Sequence, residues 1–135
     1  MHAKDGGANR RMIDIEKQVA YWRNGAREEW TVAVELMDHG HIRHGLFFAH
    51  LALEKALKAH FCLKMRALAP RTHNLVYLAE QASLPLDRDR LKTLAEMNFF
   101  SMAGRYPEAL PPMPDTQKAA DLMKQAEEVF TWLIQ

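Results

Sequence analysis

Three ionisable side chains lie at four-residue intervals in a largely apolar stretch of the sequence. His50, Glu54 and Lys58 have the spacing i, i+4, i+8, which places them in a row along one face of an α-helix. On a buried helix such a row has two interpretations. Either it lines a cleft for a nucleotide or RNA, with Lys58 on a phosphate and Glu54 orienting His50, or it forms an internal ion pair that fixes the register of the helices.

Two further regions carry side chains that suit a phosphate-bearing ligand. Arg105 and Tyr106 stand between a glycine and a proline, so the guanidinium can present a fixed fork to a phosphate; it can equally cap a helix or reach Glu54. His73 follows Thr72, a predicted helix cap. It is a candidate general base or phosphate contact, and the alternative is a ring that bonds nearby backbone.

The sequence offers little for metal or cofactor chemistry. His39, His41 and His44 are close together, but they fall in a predicted exposed turn, and we predict no structural metal there. There is no glycine-rich phosphate loop, no nucleophile elbow and no cysteine pair, so no cofactor is expected. Cys62 is the single cysteine, which excludes an internal disulfide and favours a reducing cytoplasm.

Composition and charge describe an ordinary globular chain. Of the 135 residues, 48% are hydrophobic and 26% are charged, which argues against disorder. The net charge of +1 makes no case for a nucleic acid or a membrane surface as the partner, although a local basic patch is compatible with it, and neither DNA nor a membrane is expected as a partner. No apolar run approaches the roughly 18–20 residues that a membrane span needs.

Hydrophobic spacing of three and four residues recurs along most of the chain and predicts helices, with no alternation typical of strands. The predicted helices cover about 15–39, 42–66, 73–82, 88–103 and 116–134. Gly40 suits the end of the first helix, and the short turn there makes the first two helices antiparallel. In the fourth helix, Leu91 and Leu94 are predicted to face the core.

The expected fold is therefore all-α: an antiparallel up-and-down bundle of four long helices and one short helix. Residues 1–12 are polar and glycine-containing and are predicted to be a disordered tail, whereas residues 13–135 are predicted to form one domain.

Three short phrases in this order resemble the HEPN family of small helical bundles. Residues 52–59 have the sequence ALEKALKA, residues 72–75 have THNL, and residues 105–107 have RYP. The resemblance covers nearly the whole domain. It implies a homodimer whose long helices pack across the interface, and a common pairing with a small nucleotidyltransferase, often as a toxin–antitoxin couple. It also implies RNA or nucleotide as the ligand in many members.

The ribonuclease members of the family have an arginine followed a few residues later by a histidine. Arg105 matches the arginine, but no histidine follows it in this sequence. The motif is incomplete, so the leading hypothesis is a dimeric interaction module with Arg105 and the row His50–Glu54–Lys58 at its functional centre. The alternative is a metal-independent endoribonuclease, in which Arg105 stabilises the charged transition state and His73 or His50 supplies the base.

Overall fold

The structure is a computed structural model that describes residues 13–103 and 113–135. These residues form helices and connections without a strand, which confirms the all-α prediction. The helices are α1 (Ile15–Asp38), α2 (Ile42–Met65), α3 (Leu75–Gln81), α4 (Arg88–Met97), α5 (Phe99–Ala103) and α6 (Thr116–Ile134). The tail predicted for residues 1–12 lies outside the described residues, as do Arg105 and Tyr106.

Helices α1 and α2 form an antiparallel hairpin around a three-residue turn. Asp14 begins α1, and its carboxylate accepts a hydrogen bond from the backbone N–H of Lys17. Gly40 follows the end of α1 with φ +80°, a left-handed conformation that glycine adopts without strain. The N–H of His41 then donates to the carbonyl of Leu36 at 2.8 Å, which closes the end of the helix as the sequence predicts.

Helix α2 is the centre of the bundle. It contacts α1, α3, α5 and α6, and 12 of its 24 residues are buried. Small side chains on the facing helices, such as Ala26 of α1 and Ala52 of α2, are fully buried and take up little of the space between the helices. A helix surrounded in this way removes any polar group it carries from water, and this burial is what makes the row of ionisable residues on α2 unusual.

Helix α6 closes the bundle along the apolar stripe that the sequence predicts. Phe130 stacks on Trp30 of α1 with ring centroids 4.9 Å apart. At the end of α6, a ring nitrogen of His60 bonds the carbonyl of Leu133 at 2.7 Å, and Arg23 donates to the carbonyl of Ile134. Side chains from α1 and α2 thus satisfy carbonyls that a helix end leaves without a partner.

Three predictions about the middle of the chain are wrong in detail. The helix predicted over 88–103 is interrupted at Asn98, which separates α4 from α5. Leu91, which was predicted to face the core, is 41% exposed, whereas Leu94 is buried as predicted, together with Thr93 and Met97. The short third helix begins at Leu75 with Asn74 as its cap, so Thr72 is not the cap and His73 lies outside the helix.

Candidate functional site

The central feature of the candidate site is Glu54, whose two carboxylate oxygens have different partners: one binds Lys58 and the other binds His73. Lys58 Nζ lies 3.0 Å from Glu54 Oε2, one helical turn along α2. His73 Nδ1 lies 2.9 Å from Glu54 Oε1 and comes from the connection between α2 and α3. The Glu54 and Lys58 side chains are 4% and 8% exposed, whereas the His73 side chain is 52% exposed. The arrangement therefore links a buried ion pair to a histidine at the surface.

His50 forms a hydrogen bond with the backbone of His73. The Nε2 atom of His50 lies 2.9 Å from the His73 carbonyl oxygen, and because a carbonyl only accepts, this nitrogen is the donor. His50 Nδ1 lies 4.0 Å from Glu54 Oε1, which is longer than a hydrogen bond. Glu54 therefore bonds His73 directly, while His50 positions the main chain that carries it.

The ammonium of Lys58 has a second favourable contact in the core. It lies 5.1 Å from the centroid of the Trp22 ring on α1, within the range of a cation–π interaction. A buried ammonium needs such compensation because it has lost its hydration. The carboxylate of Glu54 and the face of Trp22 together supply it, and they leave Lys58 inside the bundle, 7% exposed, instead of at the surface.

The contact with Glu54 determines which ring nitrogen of His73 is available for chemistry. An ionised carboxylate only accepts hydrogen bonds, so Nδ1 of His73 carries the proton that it donates. In the neutral ring Nε2 then holds the lone pair, and no described residue forms a hydrogen bond with it. An imidazole oriented by a carboxylate in this way can take a proton from a hydroxyl, and its protonated form can donate to a phosphate oxygen.

A second set of hydrogen bonds fixes the start of α3, next to His73. The side-chain oxygen of Asn74 accepts from the N–H of Tyr77 at 3.1 Å. Asn98 reaches over from the end of α4: its Oδ1 accepts from the N–H of Leu75 at 2.8 Å, and its Nδ2 lies 3.2 Å from the Asn74 oxygen. The interruption between α4 and α5 therefore coincides with the residue that anchors the connection carrying His73.

The sequence-predicted site residues divide into two groups. His50, Glu54, Lys58 and His73 come together around one carboxylate. Arg105 and Tyr106 lie outside the described residues. What the sequence did not indicate is that Glu54 contacts His73, because the two are 19 positions apart and a loop of irregular shape joins their elements.

Other chemistry-bearing groups have ordinary surroundings. Burial raises the pKa of the Cys62 thiol, which keeps it in its unreactive protonated form. Within 13–103 and 113–135, no three His, Cys, Asp or Glu side chains are grouped so that they could hold a metal ion. No helix of the same ranges has the length and apolarity needed to cross a membrane.

Two surface cavities lie away from Glu54. An apolar groove of about 450 Å³ between α1 and α6 is lined in part by Trp30, Val34, Met37 and Met123. A more polar cavity of about 350 Å³ lies between α4 and α6, near Arg90. None of the residues lining either cavity belongs to the network around Glu54.

The all-helical bundle, with a hairpin of two long helices around a buried polar row, is that of a recognised class. The family model of the HEPN domain matches residues 19–135, and the chain belongs to the HEPN family. The resemblance carried by the three short phrases is thereby confirmed.

The fold is shared by solved structures, among them the following two. TT1696 from Thermus thermophilus superposes with a TM-score of 0.71 at 22% identity, covering 86% of this chain and 95% of that chain. ST0689, an archaeal HEPN homologue, has a TM-score of 0.65 at 18% identity, covering 87% of this chain and 98% of that chain. Likeness at these identities establishes the fold alone. No curated protein matches the sequence.

Proposed function

We propose that this protein is a homodimeric HEPN module that binds the phosphate of a nucleotide or of RNA at His73. In this proposal it works beside a small nucleotidyltransferase, in the kind of toxin–antitoxin pair that the family resemblance implies. The proposal of a phosphate ligand rests on the His73 ring, which is half-exposed and is oriented by its hydrogen bond to the buried carboxylate of Glu54. A purely internal ion pair between Glu54 and Lys58 does not require a histidine at the surface.

The ligand proposal is tested by two substitutions that separate the nitrogens of His73. In His73→Asn the side-chain amide can take over the Nδ1 bond to Glu54, but nothing replaces Nε2. In His73→Gln the amide reaches toward the position of Nε2 but loses the bond to Glu54. Titration calorimetry with AMP, GMP and a short RNA should show binding by the native protein and at least a tenfold loss in His73→Asn. Unchanged affinity in His73→Asn would refute a phosphate site at this residue.

The groove between α1 and α6 supports the homodimer. Its apolar lining lies on the exposed side of two long helices, where the family resemblance implies the contact between copies. Val34→Glu puts a charge at a position that is 36% exposed, so it should spare the core but shift the protein toward monomer in sedimentation velocity. Tyr21→Glu, at a 64% exposed position toward the other end of α1, is the matched control. Equal dimerisation by both variants would contradict an interface at the groove.

Pairing with a nucleotidyltransferase needs its own experiment. The two proteins, expressed together with a tag on the enzyme, should co-elute on size exclusion at a fixed ratio. A HEPN protein that elutes only with itself would contradict the pairing, and would leave the phosphate site to be judged by the His73 variants.

A metal-independent endoribonuclease is the second candidate, and the same geometry favours it. A carboxylate-oriented imidazole is the arrangement that a general base for a ribose 2′-hydroxyl requires, and Arg105 would stabilise charge on the phosphate. This candidate predicts RNA cleavage in EDTA that is lost in both His73→Asn and Arg105→Ala. Equal background hydrolysis by all three proteins would exclude it and leave binding as the function.

A further inference from the structure

A long acid-free segment surrounds the connection that carries His73. Residues 55–79 contain five lysines and arginines but no aspartate or glutamate, in a chain whose net charge is only +1. The five are Lys55, Lys58, Lys64, Arg66 and Arg71. The overall charge thus conceals a local excess of positive charge next to the candidate site.

Two of these five cations are paired with carboxylates, whereas the other three have no such partner among the described residues. Lys55 lies 3.5 Å from Glu29, and Lys58 is paired with Glu54. Lys64, Arg66 and Arg71 are all exposed, and their side chains form no ion pair or hydrogen bond with any residue in 13–103 or 113–135. All three are on the last turn of α2 and the connection that runs from it to His73.

We infer that Lys64, Arg66 and Arg71 form a track for the phosphate backbone of a single-stranded polynucleotide, which leads along the α2–α3 connection to His73. The inference rests on the proposed phosphate site and specifies its ligand as a strand. A mononucleotide bound at His73 has no further phosphodiesters for the three other cations, whereas a strand offers one phosphate after another. Tyr77, 43% exposed and four positions after His73, supplies an aromatic side chain on which a base can stack.

Arg66 allows the charge to be removed without damage to the backbone. It caps α2 with φ 53° and ψ 43°, a left-handed conformation that favours glycine or asparagine over other residues. Arg66→Asn therefore removes the charge while it suits the backbone at least as well. We expect this variant to unfold no more easily than the native protein, so a loss of binding cannot be attributed to misfolding.

The test compares two triple variants that each lose three positive charges. The track variant carries Lys64→Gln, Arg66→Asn and Arg71→Gln. The control variant carries Gln at Arg88, Lys92 and Lys118, which are exposed on α4 and α6, lie outside the groove between α1 and α6, and form no ion pair with described residues. The probe is an end-labelled RNA of mixed sequence, about 12 nucleotides long. Its affinity is measured by fluorescence anisotropy in EDTA between about 50 and 200 mM salt.

The expected result is a change in salt dependence. Each backbone phosphate bound contributes about −0.7 to the slope of log K against log salt, so loss of three contacts makes the slope less negative by about 2. Over a fourfold rise in salt, the native protein should lose about 20-fold more affinity than the track variant. The control variant should keep the native slope. Equal slopes in the native protein and the track variant, or equal losses in both triple variants, would overturn the inference.

Two further comparisons test the track separately from the phosphate site at His73 and determine whether the bound strand is RNA or DNA. If mononucleotide binding depends on His73 but the track variant binds RNA normally, the track is wrong and the proposed site stands. If RNA binding depends on the track but is indifferent to His73→Asn, the proposed site is wrong and the track stands. A DNA oligonucleotide of the same sequence that binds equally well supports a track that reads backbone charge alone. Tighter binding of RNA supports the track with an added contact to the ribose 2′-hydroxyl.

Discussion

Removing one partner of the Glu54–Lys58 pair should cost far more stability than removing both. The two side chains are 3.0 Å apart and 4% and 8% exposed, so each charge has lost most of its hydration and depends on the other. At an effective dielectric constant of about 20, their attraction is roughly 5 kcal/mol, most of which offsets the desolvation of the two groups. Lys58→Met or Glu54→Leu leaves one buried charge without its counterion, and we expect either to lower the free energy of unfolding by about 3–5 kcal/mol.

The double variant Lys58→Met/Glu54→Leu replaces the pair with apolar side chains of similar size. Such replacements are often neutral, and the lost bond to half-exposed His73 adds a cost of about 1 kcal/mol. We therefore expect the double variant to lie within about 2 kcal/mol of the native protein, with a coupling energy of at least about 4 kcal/mol between the two sites.

Urea denaturation followed by far-UV circular dichroism measures all four proteins of this cycle. If Lys58→Met costs less than about 1 kcal/mol, Lys58 does not depend on Glu54 as a buried counterion. If the double variant loses the sum of the two single losses, the two charges are not coupled. Either outcome would refute the view that a compensated ion pair supports His73 from inside the bundle.

Three further predictions concern residues around this core. Asn98→Ala should lower stability by about 1–2 kcal/mol in urea melts, because the buried end of α3 loses the acceptor for the N–H of Leu75; an unchanged melt would contradict that anchor. Gly45→Ala should destabilise in spite of the better helix propensity of alanine, since its Cβ would lie 2.5 Å from Met37 Sδ and 3.3 Å from the Met37 backbone nitrogen; a higher melting temperature would show that Met37 moves aside. Cys62, with its raised pKa and no exposed surface, should react with a disulfide reagent at pH 8 only after denaturant is added; rapid labelling of the native protein would contradict its burial.

The helices were predictable from the sequence where apolar spacing and capping residues agree with the residues that are buried. The hairpin of α1 and α2 followed from apolar spacing and from Gly40, and Asp87 and Asp115 cap α4 and α6 as such residues usually do. The face of α4 was not predictable from spacing alone. Leu91 fits an apolar stripe as well as Met97 does, and only the packing of α6 and α3 against α4 determines which of them is covered.

The candidate site was predictable as a set of residues but not as a geometry. The row on α2 was visible because charges at four-residue intervals stand out in an apolar helix. That Glu54 bonds His73 depends on the path of the connection after Met65, where Arg66 turns the chain by adopting a left-handed conformation that its side chain does not favour. The end of the helix near Arg66 was predicted, but sequence rules place glycine or asparagine at left-handed positions, so the conformation of Arg66 could not be anticipated.

Placing Glu54 and Lys58 on the same helix has a consequence for the order of folding. Contacts between α1 and α2 are local along the chain, whereas α6 must arrive from the far end of the sequence, and local contacts generally form sooner. Because the two charges are one helical turn apart, they can meet as soon as α2 forms, while water still surrounds them. We therefore expect the chain to cross its folding barrier with the two charges already paired, so that neither is desolvated alone. If the pair is buried after the barrier, substitution of Lys58 should mainly accelerate unfolding. If α2 is already enclosed at the barrier, the same substitution should slow folding.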